Sequence, residues 1–207
     1  MLEINDVSKI IKNEKGWYLP EFDKSSWKYI FERQNEPREI SKFCKKTDIC
    51  LTAGGNIGFY EKIFSEIFSH VYTFEPDSVN FNCLVLNLLK CDNVYKFQSA
   101  LGEKNETISL NMSNDNCGGH NLGRVIQSGY IPLIKIDDLN LRDLDLLQID
   151  VEGSEKRVLM GAIQTIKKYK PIICVEAAWE NDFSIITKIG YSSVAKLDVN
   201  IIFAHSS

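Results

Sequence analysis

The sequence predicts an α/β protein with a mainly parallel sheet covered by helices. Three observations carry this reading. From about residue 48, short β-rich runs alternate with helical patterns. A glycine-rich turn separates the first run from its helix, and acidic residues end several later runs. The carboxyl ends of strands are where open α/β sheets bind ligands.

Residues 1–47 stand outside the alternation and hold all but one of the tryptophans, Trp17 and Trp27. They are expected to form an N-terminal helical or lid segment, ahead of one domain over residues 48–207. The first strand covers residues 48–51, and the helical stretch after the turn covers residues 57–68. In that stretch Tyr60, Ile63, Phe64, Ile67 and Phe68 recur at helical spacing. A second strand at 71–74 leads to a helix over about 79–89, with Pro76 near its start. A third strand follows at 94–98. Residues 107–112 and 131–136 read as strands, and 113–123 as a loop rich in Asn and Gly. The clearest buried strand is 146–150, followed by a helix over about 154–168. A strand at 172–176, a helix at 182–189 and strands at 191–196 and 200–204 close the chain. The short link at 197–199 pairs the last two as an antiparallel hairpin.

With 207 residues, 44% of them apolar and 25% charged, the chain suits one packed domain. The formal net charge of −4 offers no basic face, so nucleic-acid binding is not indicated. Lys167, Lys168 and Lys170 fall where a helix ends, a favoured place for cations. The six cysteines form no C-x-x-C pair. The N-terminal run has no apolar stretch of signal-peptide length, and no window suits a bilayer. A cytoplasmic protein with reduced thiols is expected.

Four motifs carry chemistry. AGGNIG at 53–58 lies between a strand and a helix, but its spacing is not G-x-G-x-x-G. Glu75 ends the second strand about twenty residues on, where an acid can bind both ribose hydroxyls. Gln98, Ser99 and Ala100 follow the third strand and suit a flat adenine ring. In IDVEG at 149–153, Asp150 and Glu152 end a buried strand as plausible bases or ligand holders. Glu152 has an alternative role at the next helix N-terminus. Glu176 ends the following strand, and Asp137 and Asp138 suit a turn or helix cap. His120 is the one histidine in a loop open to a substrate role, while His70 and His205 offer little. Zinc-protease, serine-hydrolase and P-loop motifs are absent.

Taken in order, these motifs resemble the FkbM family of methyltransferases. The matching words are AGGNIG at 53–58, FEPD at 74–77, SALG at 99–102, LLQIDVEGSEKRVLMGA at 146–162 and KPIICVEA at 170–177. The likeness spans about residues 48–205. It implies a Rossmann-like methyltransferase fold: a mostly parallel seven-stranded sheet, an antiparallel C-terminal strand and helices on both faces. It implies S-adenosylmethionine as methyl donor. Gly54, Gly55, Asn56 and Gly58 would then surround the methionine part, and Glu75 would bind the ribose. Asp77, Ser99 and Ala100 would lie near the adenosine, with Asp150 and Glu152 at the methyl-transfer centre. In one departure, Thr52 stands where the family usually carries an acid.

The implied activity is O-methylation of a hydroxyl on a sugar, glycan or small metabolite. Asp150 could take the hydroxyl proton if burial raises its proton affinity. Alternatively Asp150, Glu152 and Glu176 suit a divalent metal such as magnesium, and the sequence leaves that choice open. Two rival classes remain: a binding protein that kept the fold without activity, for which Thr52 argues, and an NAD-dependent oxidoreductase. The acceptor's identity and the oligomeric state are not legible in these patterns.

Overall fold

The computed structural model describes residues 9–23, 28, 31–111, 121–122, 130–177 and 182–206, with 111, 121 and 122 described by their backbone alone. The described N-terminal part holds a hairpin, β1 (Ile10–Lys12) and β2 (Tyr18–Pro20), then α1 (Glu36–Ser41). The alternation follows as β3 (Ile49–Ala53), α2 (Phe59–Phe64), β4 (His70–Phe74), α3 (Ser78–Asn87) and β5 (Val94–Phe97). Five short strands come next: β6 (Ala100–Leu101), β7 (Glu106–Ile108), β8 (Leu110–Asn111), β9 (Asn121–Leu122) and β10 (Ile131–Ile134). The chain then runs through β11 (Leu146–Ile149), α4 (Glu155–Gly161), α5 (Ile163–Tyr169), β12 (Ile172–Glu176), α6 (Ser184–Thr187), β13 (Tyr191–Leu197) and β14 (Asn200–His205).

Seven of these strands form the main sheet, in the order β13-β14-β12-β11-β3-β4-β5. The run from β12 to β5 is parallel, while β14 lies antiparallel to both of its neighbours. The chain winds outward from β3 to β5, then returns beside β3 and winds the other way. The switch point therefore falls between β3 and β11, and the carboxyl ends of strands at such a point are where open α/β sheets bind ligands.

Burial follows from this topology. A central parallel strand is covered on both faces and reads as a continuous apolar run. All five residues of β3 are buried. Ile49, Leu51 and Ala53 join Val158, Leu159, Ile166 and Ile186 from α4, α5 and α6. Cys50 points the other way, toward Ile40, Phe64, Phe68 and Leu84 from α1, α2, α3 and the end of α2's turn. Thr52 shares the Cys50 face by strand alternation, and it is the only polar residue in the strand.

The structure differs from the sequence reading in three places. The N-terminal segment is a hairpin as well as a helix. Gly16 turns it at φ +83°, and the Asn13 side chain accepts a hydrogen bond from Trp17 N–H. The side-chain amide of Asn87 clamps β2, accepting from Tyr18 N–H and donating to Tyr18 C=O and Ile57 C=O. Residues 107–112 do not form one strand, because the chain changes partners: β7 pairs with β10, and β8 with β9. The helix expected over 154–168 is broken at Ala162 (φ −113°, ψ 3°). There Asp137 accepts hydrogen bonds from Gln164 N–H, Thr165 N–H and Thr165 Oγ1, and so caps α5 from outside.

Candidate active site at the carboxyl edge of the sheet

The glycine turn is built by close approach. Gly54 adopts φ +88°, and a Cβ there would lie 1.8 Å from the carbonyl oxygen of Asp150. Asp150 N–H in turn donates to Ala53 C=O at 2.9 Å. The turn after β3 thus presses directly on the end of β11, which fixes Asp150 beside Gly54. Gly54 and Gly55 N–H groups both donate to Phe74 C=O, tying the turn to the end of β4 as well.

Glu75 lies just past that strand and is 5% exposed. Its carboxylate accepts from Asn56 N–H at 2.7 Å and Asp77 N–H at 2.9 Å. Burial pushes its pKa up to about 8, against those two N–H donors, which favour the charge. Asp77 is also buried, and its Oδ1 caps α3 by accepting from Val79 and Asn80 N–H. Ser99 is buried, and its Oγ has no hydrogen-bond partner among the described residues. Ala100, also buried, begins β6 and pairs with Leu133 of β10, so it belongs to a small side sheet rather than an open turn.

Asp150, Glu152 and Glu176 come together, with one oxygen from each lying within 4.8 Å of the others. Asp150 is hydrogen-bonded to Glu176, and burial followed by the neighbouring Glu176 charge raises its pKa well above the usual range. Glu152 takes φ +52° and stays in the acidic group. Glu155, the acid in the first turn of α4, accepts from Gly153 N–H. His120 lies outside the described residues.

One buried acid was missed at the sequence level. Glu61 of α2 is 2% exposed. It accepts a hydrogen bond from Thr52 Oγ1 at 2.7 Å, with Thr73 Oγ1 at 3.4 Å. Burial pushes its pKa up to about 7, against the Thr52 hydrogen bond. The signal was present: Ile57, Glu61, Phe64 and Phe68 follow 4-3-4 spacing, and the three apolar members are all buried. An acid on an apolar helical stripe needs a polar neighbour across the interface.

These acids have a consequence for stability. Folded Glu61 and Glu75 keep their protons to about pH 7 and 8, against an ordinary carboxylic value of 4.5. Below that ordinary value both folded and unfolded chains hold the protons, and the stabilising difference is fully present. As pH rises, the unfolded chain releases them first, so stability falls through the folded pKa values. The ligand-free protein should therefore melt at lower temperature at about pH 8.5 than at about pH 6, with Glu75→Gln flattening the slope. A wild-type melting temperature that holds or climbs across that range contradicts the burial of these charges.

The sheet order and the switch point define a Rossmann-like α/β fold. The methyltransferase FkbM domain model matches residues 53–191, and the chain belongs to that family. No curated protein matches it. Among solved structures, the chain is similar to the FkbM methyltransferase of Methylobacillus flagellatus KT, with 19% identity and a TM-score of 0.53. That match covers 77% of this chain and 43% of the other, so the chain spans less than half of that protein. It is also similar to precorrin 8w decarboxylase from Methanobacterium thermoautotrophicum: 15% identity, TM-score 0.54, and 95% and 97% of the two chains covered. A methyltransferase from Geobacter sulfurreducens shares 12% identity at a TM-score of 0.52, over 84% of this chain and 77% of its own. The decarboxylase shows that the fold alone does not name a reaction. Among the described residues no helix is long and apolar enough to cross a membrane.

Proposed function

We propose that the chain is an S-adenosylmethionine-dependent O-methyltransferase acting on a hydroxyl of a sugar or small metabolite. The observation that carries this reading is the set of acids gathered around the glycine turn. Glu61, Glu75 and Asp150 lie at the carboxyl edge of the sheet, and among the described residues none forms an ion pair with lysine or arginine. A bound cation favours the ionised form of such acids, and once ionised the set attracts a cationic ligand and opposes the two negative charges of a dinucleotide pyrophosphate. S-adenosylmethionine carries a sulfonium and an ammonium, while NAD brings the pyrophosphate.

The residues present fit that donor. The partnerless Ser99 Oγ is a buried polar group of the kind that a ligand satisfies. Glu75 uses one lone pair on each oxygen for backbone N–H groups, and an ionised carboxylate has further acceptor capacity for ribose hydroxyls. Gly54, Gly55, Asn56 and Gly58 form the wall for the methionine part, and Asp77, Ser99 and Ala100 stand on the adenosine side. Bound there, the donor supplies a methyl group already activated on sulfur. The chain's task is then alignment and proton removal. The Asp150–Glu176 pair sits where the acceptor hydroxyl would approach, and its ionised form takes the hydroxyl proton while Glu152 keeps the rim acidic. Because Asp150 holds its proton tightly, the ionised fraction grows with pH, and turnover should rise with pH.

The base reading takes Asp150, hydrogen-bonded to Glu176, to act without a metal. Activity should survive dialysis against chelator. Full loss, with recovery on adding magnesium, would transfer the role to a metal held by Asp150, Glu152 and Glu176. The reading as a whole is tested by incubating small-molecule extracts with enzyme and isotope-labelled donor, then following the label by mass spectrometry. It expects label on a hydroxyl-bearing metabolite. Label on nitrogen or on protein would refute the acceptor class.

A further inference from the structure

Thr52 leaves the end of β3 without the acid that the family resemblance leads one to expect there. The structure puts a carboxylate back in the same place from another element. Glu61 comes from α2 and reaches across to Thr52 Oγ1 at 2.7 Å. It lies under the glycine turn: a Cβ built on Gly55 would meet Thr73 Oγ1 at 2.3 Å, Leu84 at 2.7 Å and Glu61 Oε1 at 3.6 Å. The absence of a side chain at Gly55 is what lets the turn settle onto this pair.

Glu61 is poorly explained as scaffolding. A buried carboxylate costs stability unless it is paired, and a leucine or glutamine could fill the space without that cost. Its hydrogen-bond donors are neutral hydroxyls from β3 and β4. The titratable group that faces it from the end of β4 is Glu75, another acid. The adjacent Lys62 offers no relief, because its ammonium sits over the Trp17 ring, 5.2 Å from the centroid. Glu61 therefore stands without a paired cation among the described residues, directly beneath the wall assigned to the methionine part of the donor, where a bound ammonium would favour its ionised form.

We propose that Glu61, acting with Thr52, is the positioning acid of the donor site and provides the negative charge that holds the donor's ammonium end. The acid has moved from strand to helix, and Thr52 donates its hydroxyl hydrogen bond to it. This inference rests on the donor reading above. It also removes the reason to regard the chain as an inactive scaffold, since the charge thought missing at Thr52 is present at Glu61.

The test compares two ligands by calorimetry. S-adenosylhomocysteine carries the ammonium, and 5′-methylthioadenosine lacks the whole amino-acid end. Glu61→Gln should weaken S-adenosylhomocysteine by about tenfold or more and leave 5′-methylthioadenosine unchanged. The same variant should melt no lower than wild type at about pH 8, because it removes a buried charge. The double variant Thr52→Asp with Glu61→Thr, which returns the acid to the strand, should recover most of the lost affinity. Equal weakening of both ligands, or unchanged affinity for both, overturns the proposal. So does a double variant that folds and binds no better than Glu61→Gln. If wild-type protein binds neither ligand, the donor site itself is refuted, and this inference falls with it.

Discussion

Asp150→Asn should keep donor affinity nearly unchanged and lower turnover by roughly 10²- to 10⁴-fold, the usual scale for losing a general base. Asparagine preserves the shape and can still hydrogen-bond Glu176, but it cannot take a proton. The backbone of this residue, not its side chain, makes the contacts that hold the turn: its carbonyl packs on Gly54 and its N–H bonds Ala53. The substitution therefore leaves the turn's supports in place. It also removes a half-buried acid with raised proton affinity, so the variant should lose the rise of turnover with pH. Measuring melting, donor affinity and single-turnover transfer on one preparation separates the roles. Transfer at the wild-type rate by folded, donor-binding Asp150→Asn protein would shift the base assignment to Glu152 or Glu176.

Glu75→Ala is expected to weaken donor binding by roughly 30- to 1,000-fold, or about 2–4 kcal/mol. Two effects combine. The ribose hydroxyls lose a charge-assisted acceptor. Asn56 and Asp77 N–H also lose the carboxylate that fixes the path from the turn into α2 and the start of α3. Because the ribose is common to both ligands, S-adenosylhomocysteine and 5′-methylthioadenosine should suffer together. That pattern differs from the selective loss expected of Glu61→Gln, so the two acids can be told apart on the same titrations. A folded Glu75→Ala protein with wild-type affinity for both ligands would remove Glu75 from the site.

Much of this architecture was legible because central parallel strands announce themselves. Ile49, Cys50 and Leu51, then Leu146, Leu147 and Ile149, are short apolar runs ended by turn residues, and they became adjacent buried strands. The turn at 53–58 and the acid at Glu75 were readable by position, since the ends of strands β3 and β4 converge once those strands pair. What escaped were features decided by contacts distant in sequence. The hairpin of β1 and β2 depends on Asn87, some seventy positions away. The break at Ala162 depends on Asp137. The partner of Glu61 was hidden for the same reason, although the apolar stripe already marked Glu61 as buried. Its partner Thr52 lies on the strand face opposite Leu51, and nothing local reveals that α2 would cover that face. Thr52 therefore read as a departure when it is half of a pair.

The account's central claim is that this acidic crevice receives a cationic adenosine donor. Titration calorimetry of the wild-type protein with S-adenosylmethionine, S-adenosylhomocysteine and NAD tests it most directly. The account predicts saturable one-site binding of the first two, each displacing the other, with no detectable binding of NAD. Binding of NAD with no response to either sulfur ligand would contradict it.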